Sequence, residues 1–185
     1  MMDGKRVAAA AGAGWILAAA AAGPLAGQHE HGGHASPYAG QQTSEIPSLT
    51  ERELEDLRTG AGMGLARPAE LNHYPGPKHV LELAGDLGLS ADQLTRIEEI
   101  HRRMEDAAVE AGAAVIDAER TLNARFSHGH IDEASLDEAV ALTAELSGRL
   151  RFVHLRAHLE TAGVLTPEQI AEYDRLRGYA PPPGR

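Results

Sequence analysis

The sequence contains no cysteine. That absence excludes a disulfide framework, a thiolate metal site, a cysteine nucleophile and a lipidated cysteine anchor. Aromatic residues are almost as scarce: one tryptophan, Trp15, and two phenylalanines in 185 residues. A β-sandwich would build its core from Val, Ile, Tyr and Phe, whereas an alanine-rich chain with few large rings favours close packing of helices. Lysine occurs only as Lys5 and Lys78, and the formal net charge is -10. Lacking a basic stripe, the chain carries no footprint for nucleic acid. Gly-x-Ser-x-Gly, a phosphate-binding glycine loop and His-Glu-x-x-His are also missing, and no carboxylate pair stands apart, so an enzyme is not expected.

What is present begins with an export pattern. Lys5 and Arg6 precede an apolar run from Val7 to Gly23, and small residues follow to Gly27. A positive start, a short apolar middle and a small-residue end describe a secretory signal peptide over residues 1–27. The run is shorter than the ~20 residues of a membrane span; left uncleaved, it would serve as an anchor. Both alternatives put the rest of the chain in the periplasm. Residues 28–47, rich in Gly, His, Gln and Ser, read as disordered. Residues 179–185 contain three consecutive prolines, which lack amide donors and cannot continue a helix. The folded domain is therefore expected over residues 48–178.

Helix signals fill that interval. Ser48 and Glu51 are spaced as a capping box for a short helix, stopped by the glycines from Gly60 to Gly64. A helical turn is expected within Leu65 to Leu71, and the segment from Asn72 to Pro77 reads as a turn-rich connector. Pro77 suits the first position of a helix running to Leu87, with Gly88 as its stop. Ser90 and Gln93 cap the longest pattern, Ala91 to Phe126. Its seam is Leu94, Ile97, His101, Met104, Ala108, Ala111, Val115, Ala118 and Leu122, at alternating steps of three and four. A second long helix, Glu133 to Ala162, carries Leu136, Val140, Leu146, Leu150 and Val153. Thr166 and Gln169 cap a last helix to Arg177. Long helices joined by a short loop predict an all-α antiparallel hairpin with short flanking helices.

The two caps repeat one form. Leu89-Ser90-Ala91-Asp92-Gln93 and Leu165-Thr166-Pro167-Glu168-Gln169 both read Leu-Ser/Thr-x-x-Gln. Two such motifs bracketing a helical hairpin behind a signal peptide resemble the Spy/CpxP family of periplasmic proteins. The resemblance covers Pro77 to Tyr179, with Ser90 in place of Thr in the first motif; Gly62 to Leu83 also looks like members of the group. It implies a thin, curved helical hairpin, in many members an antiparallel homodimer. Relatives include ATP-independent chaperones that cradle unfolded clients, zinc-resistance-associated proteins and nickel/cobalt sensors that partner an inner-membrane regulator. The chaperones are basic on the cradle face. This chain is acidic, which ranks metal sensing or buffering first among the functions the resemblance implies.

Ten histidines point the same way. Imidazole suits Cu, Ni and Zn. His29, His31 and His34 cluster where a mature chain would begin, able to wrap a cation without a preformed site. His154 and His158, at i and i+4, share one helix face, and His79 and Glu82, at i and i+3, share another. If the two helices pack together, these four residues form one N/O site. The resemblance adds that metal-sensing relatives use His, Glu and Met ligands between helices. His101 reads as a satisfied core histidine, His128 and His130 as loop residues, and His73 as uninformative.

Overall fold

The structure, a computed structural model, describes residues 36–179. The expected signal segment, His29, His31, His34 and the proline-rich end from residue 180 lie outside the described residues. The chain divides into two units between Ala39 and Gly40. Of the first unit only a turn is described, in which the Ala39 amide donates to the Ser36 carbonyl at 2.9 Å. The second unit holds α1 (Glu51–Thr59), α2 (Arg67–Glu70), α3 (Pro77–Glu82), α4 (Ala91–Ser127), α5 (Glu133–Ala162) and α6 (Pro167–Arg177), and no strand among the described residues.

The helices begin where side chains satisfy their free amides. Ser90, Asp132 and Thr166 open α4, α5 and α6, each with a reciprocal capping box. At α1 the cap is Thr50 with Glu53, not Ser48 with Glu51. The Ser48 hydroxyl instead donates to the Glu119 carboxylate of α4 at 2.7 Å, which fastens the entering chain. The expected boundary at Ser48 also moves upstream. Ile46 is buried in the core, and Glu45 pairs with Arg58 at 2.8 Å and Arg120 at 3.2 Å, so the end of the 28–47 stretch is packed. At the other end Tyr179, expected in the tail, packs against the core. Helix α3 stops at Glu82 rather than Leu87. Gly85 and Asp86 are weak helix formers, and the chain turns there to bring Leu87 inward.

Helices α4 and α5 pack along each other and carry two core clusters. In one, Ile46, Leu54 and Leu57 meet Ala108, Val115 and Ile116 of α4 and Leu150 of α5. In the other, Val80 and Leu87 join Ile97, Ile100, Ala157, Leu165 and Tyr173. Helix α1 reaches α4 over Gly112, where a Cβ would stand 2.1 Å from the Leu57 carbonyl oxygen. Near the α4–α5 loop the interface thins. The expected seam positions Leu136 and Val140 are exposed, and Ala139 takes the buried place. A small residue there lets the helices approach closely, which turns the larger neighbours outward.

The paired motifs acquire a shared physical role. Gln93 and Gln169, besides closing their own caps, hold each other: Gln93 Nε2 donates to Gln169 Oε1 at 2.7 Å, and Gln169 Nε2 returns a bond to Gln93 Oε1 at 3.1 Å. Their amides also donate to the carbonyls of Val164 and Leu87. Two helix starts far apart in sequence are thereby clasped.

Candidate functional site

Three of the four histidine and glutamate residues expected to form one site do converge. His79 at the start of α3 and His154 and His158 on α5 line a cavity of about 450 Å³. Helix α4 adds His101, Met104 and Glu105, and the chain between α1 and α2 closes another side with Gly60, Ala61 and Gly62. Glu82 does not line the cavity. It is largely exposed and accepts a hydrogen bond from His79 Nδ1 at 2.9 Å, which holds its carboxyl below the usual range.

The hydrogen bonds fix which nitrogen of each ring remains free. A carboxylate and a carbonyl can only accept, so Nδ1 of His79 donates to Glu82, and Nδ1 of His158 donates to the Tyr74 carbonyl at 2.7 Å. In neutral rings that leaves the Nε2 lone pairs available, the arrangement by which orienting acceptors prepare imidazole ligands. The His158 ring lies against Gly76, where a Cβ would sit 2.8 Å from Cε1. His101 Nδ1 stands 3.5 Å from Glu105 Oε2; expected in the core, it is part-buried on the cavity wall.

His154 is 3% exposed, and its Nε2 has no hydrogen-bond partner. Burial, reinforced by the charge of His158, pushes its pKa below the ordinary imidazole value. A neutral, desolvated ring with an unsatisfied nitrogen costs ~1–3 kcal/mol, and most proteins avoid the arrangement. The donor chemistry fits a transition metal: imidazoles, a thioether and a carboxylate around one space. Among the described residues, no three His, Asp or Glu side chains are already grouped to hold an ion. Capture would need the rings to swing inward.

Behind His158 lies a feature that sequence reading missed. Glu70 of α2 is held by the hydroxyls of Tyr173 at 2.5 Å and Tyr179 at 3.1 Å, by Arg177 Nε at 3.5 Å, and stands 3.7 Å from His158 Nδ1. Burial and the Glu70 carboxylate push the Tyr173 phenol up, keeping it protonated as a donor. Nearby, His73 Nδ1 pairs with buried Asp174 at 2.6 Å, so His73 anchors the connector to α6. One signal was present in the sequence: Tyr74, Tyr173 and Tyr179 are three of only four tyrosines. Their scarcity marks them as structural assignments rather than filler.

No family model, no curated protein and no solved structure matches the chain. Among the described residues no helix is long and apolar enough to cross a membrane.

Proposed function

We propose that this chain is an exported, periplasmic metal-binding protein of the Spy/CpxP type that senses or buffers copper, nickel or zinc. One observation carries the reading: His79, His101, His154 and His158 line a single cavity, with His154 Nε2 buried and unpartnered. The antiparallel hairpin implied by the family resemblance is supported by the order of the ion pairs. Arg125 meets Glu138 near the loop, and Arg103 meets Glu160 further along, so positions advance on one helix as they recede on the other.

Calorimetric titration with each ion tests the reading. The wild-type chain takes up one of them near stoichiometrically, and His154→Ala with His158→Ala loses that uptake. Wild-type affinity no tighter than about tens of micromolar, the range of stray surface histidine pairs, would remove it.

A second reading rests on a different observation. Phe152, Leu159 and Phe126 are each more than half exposed, an unusual display for a chain with two phenylalanines. Such exposed apolar side chains favour contact with protein, whether an unfolded client, a second copy or an inner-membrane regulator. Suppression of client aggregation without ATP, lost on Phe152→Ser with Leu159→Ser, supports the chaperone form; no suppression at several-fold excess eliminates it.

A further inference from the structure

The histidine-lined cavity is far larger than an ion. At about 450 Å³ it falls within the ~300–1,000 Å³ range of small-molecule sites. An open surface groove adjoins it, sharing Gly62, Ala66, His79 and His158 as walls. Each of these spaces has an exposed cation on its wall. Lys78, one of two lysines in the sequence, lines the cavity, and Arg67 lines the groove. Among the described residues neither is held in an ion pair. The carboxylates nearby are already engaged: Glu70 by Tyr173, Tyr179 and Arg177, and Glu105 by His101.

Resting on the metal reading above, we infer that the cavity and its adjoining groove take the metal as a chelate with a small carboxylate-bearing molecule, not as a bare ion. The chelator fills the volume and part of the coordination sphere. Imidazole nitrogens supply the remaining ligands, that of His154 once its ring turns into the space, at ~2.0–2.1 Å. Lys78 and the planar fork of Arg67 receive the carboxylates. This explains together the size of the space, the spread of the imidazoles around it, and a cation on the wall of each part. Binding involves ligand exchange at the metal only; no bond in the chelator breaks.

Equilibrium dialysis of the purified chain with nickel tests it, using radiolabelled citrate and, separately, radiolabelled free histidine. The expected result is retention of at least one labelled chelator only when nickel is present, with nickel held at least tenfold more tightly than when added alone. Lys78→Ala with Arg67→Ala, checked for unchanged helicity, lowers chelator retention about tenfold, and His154→Ala with His158→Ala abolishes nickel retention in both forms. Nickel bound equally well alone, or stripped by both chelators with no label retained, overturns the chelate inference and leaves the metal reading standing. Labelled chelator retained equally by the Lys78→Ala, Arg67→Ala variant also overturns it. Failure of nickel, copper and zinc to bind alone or as either chelate overturns the metal reading itself.

Discussion

At the residue scale, the site depends on orientation as much as on ligand identity. Gly76 touches the His158 ring closely enough that any side chain there must displace it. On the metal reading proposed above, Gly76→Ala weakens metal uptake by tenfold or more with every imidazole still present, as titration against wild type would read. His154 gives a pH signature. Its pKa is depressed in the fold, so the unfolded chain binds more protons and stability rises with pH. The loss begins as pH falls below the unfolded value near 6.5 and approaches at most about 1.4 kcal/mol per pH unit. Urea unfolding at pH 7.5 and 5.5 should show a smaller difference for His154→Leu than for wild type. Tyr173→Phe keeps the packing of a fully buried ring but strips Glu70 of its shortest hydrogen bond, and lowers stability by about 1–2 kcal/mol.

At the element scale, helix starts and close approaches fix the arrangement. Removing either clasped glutamine costs a cap and a cross-link together, about 1–2 kcal/mol. Because the two amides bond each other, Gln93→Ala and Gln169→Ala are non-additive, with a coupling above about 0.5 kcal/mol in a double-mutant cycle. Gly112→Ala would gain helix propensity of about 1 kcal/mol, yet its methyl meets backbone rather than a movable side-chain tip. Helix α1 must lift away, so the thermal midpoint falls despite the better helix former. These elements were largely legible from sequence. The starts of α4 and α6 follow from Ser90 and Thr166, because a cap is chemistry within four residues. The α1 cap was misplaced because Ser48 and Thr50 both fit the pattern, and only the distant Glu119 decides between them.

At the scale of the whole molecule, packing is uneven. Helices α3 and α6 thicken the core around the start of α4 and the end of α5, and α1 covers the middle of α4, whereas toward the α4–α5 loop no further helix joins the pair and Ala139 is the buried residue of the first turns of α5. Amide hydrogen exchange is expected to be fastest there and slowest around Ile97, Val80 and His154. The site, like this gradient, was only half readable beforehand. Helical spacing put His154 beside His158 and His79 beside Glu82. Neither spacing says that α3 lies against α5, that α4 turns His101 and Met104 into the same space, or that Glu70 becomes the hub behind them. Those are consequences of long-range packing, to which local periodicity is blind.

The cavity wall is assembled from the α1–α2 connection, α3, α4 and α5. No fragment of the chain possesses it, so a guest can be held only by the finished fold. Saturation at a hundred times Kd adds about 2.7 kcal/mol to the native state. Loading would then be written into the protein's own survival: a filled molecule resists proteases that clear an empty one, and abundance tracks supply without any separate signal.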